Sequence, residues 1–472
     1  MKTTRRGFLG VAAAGHALAQ APAQAPAGKL RAGAAKANIT PLLGCSLAGN
    51  MTDQKASEVH DELHVRALAL DNGRARVAIA QVDSCVIPRE IFDRAKEEIR
   101  THAGIPPECV LLSATHSHSA PPAAHLFQCL PDPQYTAWLP HRIADAVRLA
   151  VARLQPARVG WAVGREERLV FNRRYYMKPG TIPADPFGRT TDSVQMNPPV
   201  GSPNLVKPAG PTDPDVGVLA IETPDGRPLA VLGNYALHYV GGTGPGHISA
   251  DYFAMWAETM ERLAGAPLVA TLSNACSGNI NGVNFRGARP ARRPPYAQMR
   301  RYAEILAAES YRTWRTIEFQ DDLELAGAIE ELDLGVRLPD ADDVAAARRR
   351  LEGAPPPYTD RSQIYARETL IMAETFPKTV RTPVQALRIG SLGIATFPGE
   401  AFVELGLEIK SRSPFQTTFL IELANDYRGY IPTVEGHEVG GYETWRAKSS
   451  YLEKEAAPKL VGAGLRVLNK LA

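Results

Sequence analysis

The sequence predicts an α/β fold with mixed β-sheets and flanking helices, and three observations carry that prediction. Apolar strand patterns alternate along the chain with amphipathic helix patterns. Two strand patterns are separated by Pro-Asp-Gly-Arg at residues 224–227, which is typical of an antiparallel hairpin. Other strands are separated by helix-length segments, as parallel crossovers require. Hairpins and crossovers in one chain favour mixed sheets over a doubly wound parallel sheet.

Each element follows from its local pattern. The segment Arg-Val-Ala-Ile-Ala-Gln-Val at residues 76–82 predicts a buried strand, and residues 89–102 predict an amphipathic helix that ends at Gly104. The segments at 180–210 and 288–296 are rich in glycine and proline and predict surface loops. The other predicted elements are strand 109–113, helix 135–154, strands 216–222 and 228–235, helix 250–263, strand 268–272, helix 298–316, a β-rich segment at 323–338, helices 340–351 and 361–376, a β-rich segment at 384–395, strand 419–423 and helix 449–471.

The N-terminus predicts export. Arg5 and Arg6 precede Phe-Leu and a weakly apolar stretch, which resembles a twin-arginine signal, so we expect residues 1–27 to be a signal peptide with a flexible lead-in. This predicts a periplasmic or secreted protein, and a basic, disordered cytosolic N-terminus is the alternative. Outside this segment and its three basic residues, the chain has 50 basic and 50 acidic side chains. A neutral surface argues against a general nucleic-acid binder.

Two further features of the sequence argue against a membrane-spanning protein and against a disulfide-rich or zinc-ribbon protein. No run of 18 apolar residues occurs, so we expect no transmembrane segment. The five cysteines contain no closely spaced pair, so the sequence predicts neither a disulfide framework nor a structural zinc ribbon.

The most informative motif is Ala-Thr-His-Ser-His at residues 114–118, directly after a predicted apolar strand. In an extended chain, residues i and i+2 project to the same face, so His116 and His118 are expected side by side. Two imidazoles on one face suit a zinc site. Polar residues that merely cap the strand are the alternative.

Four more polar clusters follow predicted strands, and loops at strand ends are where functional residues concentrate. His238 closes one strand, with a buried core histidine as the alternative, and Glu400 follows another, with a place in the first turn of a helix as the alternative. The turn at residues 273–282 is dense in Ser, Asn and Gly, as an oxyanion loop needs, although an ordinary turn has the same composition. The last cluster spans residues 425–432 and 440–443.

Taken in order, these motifs resemble those of the neutral ceramidases and their bacterial relatives. The resemblance extends over most of the chain, and no single motif carries it. The matching segments are Gly-…-Asn-Ile-Thr-Pro at 33–41, Val-His-Asp-Glu-Leu at 59–63, Ala-Thr-His-Ser-His at 114–118, Asn-Arg at 172–173, Ile-Ser-Ala-Asp-Tyr at 248–252, Pro-Gly-Glu at 398–400, and two tyrosines twelve residues apart at 430 and 442.

The resemblance implies a zinc site and the residues around it. The family's zinc ligands match His116, His238, Glu400 and Tyr430, although Tyr430 has an alternative as a tyrosine buried beside Pro432. His118 would lie beside the water on the metal, where it would pass protons or bind the polar head of the substrate. The implied substrate contacts are Arg173, Gly278 and Tyr442, and Asn281, Tyr442 and backbone N–H groups near Gly278 would hold an oxyanion.

Two departures from the family bear on the substrate. The active-site serine of the ceramidases aligns with Asn281, and the family's C-terminal β-domain is expected to be absent, which leaves residues 28–472 as one catalytic domain. The sequence therefore predicts an exported zinc hydrolase that cleaves an amide (N-acyl) C–N bond of a small-molecule or lipid-like substrate. The alternatives are hydrolysis of an ester, phosphoester or glycan-derived substrate, and a non-catalytic binding protein.

Overall fold

The computed structural model describes residues 29–288, 291 and 293–472, so the predicted signal peptide lies outside the described residues. The helices are α1 (Arg89–Ala103), α2 (Pro133–Ala152), α3 (Asp251–Ala264), α4 (Ala297–Trp314), α5 (Ala341–Leu351), α6 (Arg361–Thr375), α7 (Val403–Arg412), α8 (Val434–Glu438) and α9 (Ala456–Leu471). The strands are β1 (Arg31–Asn38), β2 (Ser46–Leu47), β3 (Gln54–Lys55), β4 (Glu58–Val59), β5 (His64–Asp71), β6 (Arg76–Val82), β7 (Val110–Ala114), β8 (Gln155–Pro156), β9 (Arg158–Arg165), β10 (Phe171–Asn172), β11 (Arg174–Met177), β12 (Val194–Met196), β13 (Leu205–Pro208), β14 (Asp215–Glu222), β15 (Pro228–Tyr235), β16 (His247–Ile248), β17 (Val269–Asn274), β18 (Ile280–Asn281), β19 (Leu325–Gly335), β20 (Thr379–Ile389), β21 (Leu392–Thr396), β22 (Glu400–Ala401), β23 (Thr417–Ile421) and β24 (Tyr430–Ile431).

Three sheets have the same strand topology. Their orders are β7-β6-β5-β1-β8, β17-β15-β14-β9 and β23-β21-β20-β19. In each sheet the first three strands along the chain pair antiparallel, and the fourth pairs parallel with the third. The extra strand β8 extends the first sheet beyond β1. The chain therefore contains three copies of one arrangement.

Helices complete each copy. A crossover helix joins the third strand to the fourth, and a later helix packs on the same sheet, which gives a βββαβα unit. The first unit is β1, β5, β6, α1, β7 and α2; the second is β9, β14, β15, α3, β17 and α4; the third is β19, β20, β21, α7, β23 and α9. In every unit, an insertion follows the first strand: β2–β4 in the first, β10–β13 in the second, and α5 with α6 in the third.

One hydrophobic cluster contains residues of all three sheets. Leu68 of the first sheet, Leu232 of the second and Ile394 of the third are all buried in the same apolar cluster. Helices pack against the sheets, with α2 on β1, α4 on β14 and α9 on β19. In α9 the buried positions Leu460, Ala463, Val467 and Leu471 recur every three or four residues, the spacing of one helix face.

The structure confirms the predicted fold class of mixed sheets with flanking helices. The strand at 76–82 and the hairpin of β14 and β15 are confirmed, and α1 ends at Gly104 in the left-handed conformation that glycine allows. Within the described residues, no helix is long and apolar enough to cross a membrane.

Two predictions of local structure were wrong. The segment at 180–210 is not only loop, because β12 and β13 within it pair with β11 on either side. The last helix begins at Ala456 rather than at residue 449. Ser449 lies outside this helix and contacts β24 instead: its carbonyl accepts a hydrogen bond from the N–H of Tyr430 at 2.8 Å.

Candidate metal centre

Three predicted ligands converge at the ends of strands, one from each βββαβα unit. His116 follows β7, His238 follows β15, and Glu400 lies in β22 just after β21. The Nε2 atom of His116 lies 3.1 Å from Nε2 of His238 and 3.3 Å from Oε2 of Glu400. The third side of this triangle, from His238 Nε2 to Glu400 Oε2, measures 3.6 Å. All three side chains are buried.

The spacing and chemistry of this triangle fit a zinc ion. Zinc binds imidazole nitrogen and carboxylate oxygen at about 2.0–2.2 Å, so ligand atoms at tetrahedral positions lie roughly 3.3–3.6 Å apart. The measured separations bracket that value. Oε2 of Glu400 is also buried with no hydrogen-bond partner among the described residues. A buried carboxylate oxygen without a donor is costly, and a cation would satisfy it.

Backbone carbonyls fix the orientation of both imidazoles. Nδ1 of His116 donates to the carbonyl of Cys85 at 2.8 Å, and Nδ1 of His238 donates to the carbonyl of Ser277 at 3.1 Å. Each hydrogen bond places the ring proton on Nδ1 and leaves the Nε2 lone pair facing the centre. Metal-binding histidines are held in this way.

His118 reaches the same place, but not for the reason that the sequence suggested. His116 has a φ of 72°, so the chain leaves the extended conformation there and the i, i+2 argument does not hold. The Nε2 atoms of the two rings still lie 3.2 Å apart. His118 stacks on the ring of Tyr239, with the centroids 3.5 Å apart. It forms a second group of ligand atoms with His116 and Cys85, rather than with His238 and Glu400.

Tyr430 lies beside Glu400 because β22 and β24 pair in parallel with these two residues in register. Glu400 therefore starts no helix, which corrects the alternative of a place in a first helical turn. Its second oxygen, Oε1, accepts a hydrogen bond from the hydroxyl of Tyr427 at 3.0 Å. The charge of His116, with a smaller contribution from the nearby Tyr430 hydroxyl, keeps the pKa of Glu400 below its ordinary value despite burial.

The three histidines differ in the direction in which the protein shifts their pKa. Burial lowers the pKa of both His118 and His238 well below the ordinary value, and the positive charges of His116 and Arg173 add to this effect. Burial acts in the same direction on His116, but the Glu400 carboxylate outweighs it and raises the pKa of His116 well above the ordinary value. Binding of a metal at the triangle would therefore release a proton from the His116–Glu400 pair.

A small cavity of about 40 Å³ opens onto the triangle. His116, Glu400 and Tyr430 form part of its wall together with Tyr442, whose ring centroid lies 5.7 Å from that of Tyr430. The remaining lining residues are Gly49, Asn50, Cys85, Val86, His118, Leu126, Phe127, Tyr427 and Ser449.

Arg173 lies behind this wall. Its Nε donates to Oε1 of Glu443 at 2.9 Å, and its guanidinium lies over the ring of Tyr430, 5.4 Å from the centroid. Arg173 is buried and is not among the residues that line the cavity. Its placement supports Tyr430, while the substrate contact implied by the resemblance stays a prediction.

Asn281 and Gly278 are placed away from the cavity wall. The side chain of Asn281 donates to Asn197 at 2.7 Å and accepts from the N–H of Val283 at 2.9 Å. The N–H of Gly278 donates to the carbonyl of Ala401 at 2.8 Å, so holding an oxyanion would require this bond to break. A Cβ at Gly278 would lie 2.4 Å from the carbonyl oxygen of Glu400, so glycine here allows the two chains to approach.

Sequence reasoning missed three residues around the triangle. Cys85 and Glu422 follow β6 and β23, and Tyr239 follows His238. Glu422 is fully buried, and burial raises its pKa to about 8 against the hydrogen bonds from Ser277. The signal that could have found Cys85 and Glu422 is the parallel pairing of β6 with β7 and of β21 with β23, which places neighbouring strand ends together.

Comparison with solved structures identifies the architecture. A crystal structure of the neutral ceramidase from Pseudomonas aeruginosa superimposes with a TM-score of 0.71 over 94% of this chain and 74% of that chain, at 18% sequence identity. The chain has the neutral ceramidase fold. A ceramidase solved in complex with C2 matches with a TM-score of 0.71, over 94% of this chain and 75% of that chain, at 17% identity. Scans of the sequence against models of protein families and against curated proteins find no match.

In this chain the neutral ceramidase fold consists of the three βββαβα units, and the triangle of His116, His238 and Glu400 lies where their strand ends meet. The fold likeness extends over nearly the whole described chain. It therefore confirms the resemblance in fold, which rested on short motifs spread through the sequence.

Proposed function

We propose that the protein is a zinc-dependent hydrolase that cleaves an amide (N-acyl) C–N bond. The observation that carries the proposal is the triangle of His116, His238 and Glu400, with separations of 3.1–3.6 Å and an unpartnered carboxylate oxygen facing the centre. Its place in a neutral ceramidase fold supports the choice of an amide bond over other bonds.

His116, His238 and Glu400 would hold the metal, with Tyr430 beside Glu400 as the fourth protein ligand. When bound, zinc supplies a Lewis acid that polarises a carbonyl and brings the pKa of water towards about 7. No serine nucleophile is required for such chemistry, which accommodates Asn281 at the position of the family's serine.

The remaining polar groups of the cavity would act on the substrate. His118 is neutral at pH 7 because burial lowers its pKa, so its imidazole can accept the proton that an attacking water loses and then donate it to the leaving nitrogen. Tyr442 lines the same cavity, and its hydroxyl would donate to the oxygen of the scissile carbonyl. Asn281 has no part in this scheme because its side chain is bonded to Asn197.

The cavity and the fold support a lipid-like substrate. Val86, Leu126 and Phe127 contribute apolar surface to the cavity wall, in addition to its tyrosines and histidines. The two solved structures compared above are ceramidases, and ceramide is an N-acyl lipid. An amide group beside the histidines and the first carbons of an acyl chain beside the apolar residues would match this lining.

The test compares wild-type protein with His116→Ala and with a control, His141→Ala, which changes an exposed histidine of α2. Zinc-loaded protein is assayed on ceramide, shorter N-acyl amides, carboxylate esters and phosphoesters. We expect release of the acyl chain from an amide by wild type and His141→Ala, and loss of at least 100-fold in rate for His116→Ala. Hydrolysis only of esters or phosphoesters would refute the amide assignment, and full activity of His116→Ala would refute the site.

We also propose that the protein is exported by the twin-arginine route, on the strength of Arg5 and Arg6 before an apolar stretch. Replacing both arginines by lysine should keep the protein in the cytoplasmic fraction of a bacterial host. Unchanged delivery to the periplasm would contradict this route.

A further inference from the structure

Glu422 is a buried acid at the end of β23, behind the metal centre. Its Oε1 accepts hydrogen bonds from the hydroxyl of Ser277 at 2.5 Å and from the N–H of the same residue at 3.2 Å. Its Oε2 accepts from the N–H of Ala401 at 2.8 Å. One carboxyl group thus joins two loops that are distant in sequence.

Both loops carry a ligand of the proposed zinc ion. The carbonyl of Ser277 accepts the hydrogen bond from Nδ1 of His238, and Ala401 directly follows Glu400 in β22. A shift of either loop would change the distance between His238 Nε2 and Glu400 Oε2. Glu422 is therefore placed to hold the side of the triangle that joins these two ligands.

The three βββαβα units support this interpretation. In the first unit, His116 follows β7 and is held by the carbonyl of Cys85, which follows the parallel neighbour β6. In the second, His238 follows β15 and is held by Ser277, which follows the parallel neighbour β17. In the third, Glu400 follows β21, and Glu422 occupies the end of the parallel neighbour β23. The pattern is one ligand and one supporting group per unit.

A role in packing alone does not explain an acid at this position. Glu422 is fully buried, and among the described residues it forms no ion pair with a lysine or arginine. Burying a polar carboxyl group has a desolvation cost that its hydrogen bonds must offset, whereas an apolar side chain of similar size has no such cost. Glu422 is also not among the residues lining the cavity, so contact with the substrate does not explain it either.

We propose that Glu422 is a positioning residue that holds the Ser277 carbonyl and the Glu400–Ala401 segment in the geometry required for metal binding. This proposal rests on the proposed function of the triangle as a zinc site. Groups that hold metal ligands typically contribute 10–100-fold to metal affinity.

The variant Glu422→Gln tests the proposal with little change in shape. The carboxyl accepts from the N–H of Ser277 on one oxygen and from the N–H of Ala401 on the other, so the amide of glutamine must direct its NH₂ at one of these backbone donors. The matched control is Glu222→Gln, which changes a buried acid paired with Arg158 at the opposite end of β14 from the centre.

The readout is the dissociation constant for zinc, measured by competition with a chromophoric chelator, alongside the thermal midpoint of the zinc-free protein. We expect Glu422→Gln to bind zinc 10–100-fold more weakly than wild type, and Glu222→Gln to bind it within about twofold of wild type. An unchanged zinc affinity in Glu422→Gln would overturn the proposal. Equal weakening in the control would also overturn it, because the effect would then follow general destabilisation.

A second variant covers the case in which Glu422→Gln does not fold. Ser277→Ala removes the hydroxyl bonded to Glu422 but keeps the carbonyl that orients His238. It should weaken zinc binding about 3–10-fold, and an affinity equal to that of wild type would overturn the proposal. If wild type itself binds no zinc, the proposed function fails, and this result differs from a variant that matches a zinc-binding wild type.

Discussion

Nε2 of His116 lies 3.1 Å from Nε2 of His238, although 122 residues separate them in the sequence. Each ring donates its other nitrogen to a backbone carbonyl, so both lone pairs face the same point. Two imidazole nitrogens this close repel each other unless a proton, which the raised pKa of His116 favours, or a cation lies between them. Glu400, with its unpartnered oxygen at 3.3 Å from His116, completes an arrangement that favours a cation.

Tyr430 should contribute directly to metal binding. Its register opposite Glu400 places its hydroxyl beside that carboxylate, so Tyr430→Phe should weaken zinc binding by about 10-fold or more. Zinc affinity is measured by chelator competition. The control is Tyr365→Phe, which removes a buried hydroxyl that has no hydrogen-bond partner among the described residues. Identical affinities for both variants would mean that Tyr430 only forms the cavity wall.

Tyr427 should act through Glu400. Its hydroxyl donates to Oε1 at 3.0 Å and so directs Oε2 towards the histidines. Tyr427→Phe removes one hydrogen bond to a charged group, worth about 1.5–3 kcal/mol. We expect zinc affinity to fall about 10-fold with the fold intact by circular dichroism. A variant that binds zinc like wild type would contradict this role.

Gly278 should be intolerant of a side chain. A Cβ there would lie 2.4 Å from the carbonyl oxygen of Glu400, so Gly278→Ala must displace β22 and its ligand. We expect a loss of about 1–3 kcal/mol in the free energy of unfolding, together with weaker zinc binding. Gly462→Ala in α9 is the control, because its Cβ would meet only the tip of Arg466, and it should stabilise the chain by about 0.5–1 kcal/mol. Comparable stability for the two variants would count against the close approach.

The free energy of unfolding should depend on pH through Glu422. Burial raises the pKa of this carboxyl from an ordinary value of 4.5 to about 8 in the folded protein. Between these two values the folded chain holds a proton that the unfolded chain has lost, so stability is highest at the acid end and falls as the pH rises towards 8. Glu422→Gln cannot titrate and should lack this part of the slope.

The measurement is urea unfolding of zinc-free wild type and Glu422→Gln at several pH values from 5 to 8. The difference between the two curves reports Glu422 together with His116 and Glu400, whose charges are coupled to it. We expect wild type to lose stability relative to the variant as the pH rises. Parallel curves would contradict the raised pKa.

Much of the fold could be predicted because its strands and helices carry local signals. The strand at residues 76–82 and the hairpin of β14 and β15 have continuous apolar runs and a clear turn, and the structure has them as predicted. In contrast, β1 is half alanine and β9 has polar and half-exposed positions, so neither has a strong strand signal. Their position in the sheets is set by tertiary pairing.

The repeated βββαβα unit could not be predicted from the sequence either. The insertions after the first strand of each unit differ in length and type, from the short strands β2–β4 to the helices α5 and α6. Equivalent strands are therefore unevenly spaced along the chain, and no internal repeat is visible in the sequence. Pairing of strands, rather than similarity of residues, reveals the three units.

The candidate site was predicted in part. His116, His238, Glu400, Tyr430 and Tyr442 follow strands or matched motifs, and the structure brings all five to one place. Asn281 and Gly278 were expected at the centre, but both are bonded elsewhere. Motif order locates the side chains of the candidate metal site, whereas residues such as Glu422 form backbone contacts that leave no motif.

The most direct test of the zinc site is X-ray diffraction from crystals of the zinc-loaded protein, recorded on both sides of the zinc absorption edge. We predict one anomalous peak about 2.0–2.2 Å from His116 Nε2, His238 Nε2 and Glu400 Oε2. A structure that shows these three atoms as described, with no peak among them or with zinc bound elsewhere, would contradict the assignment.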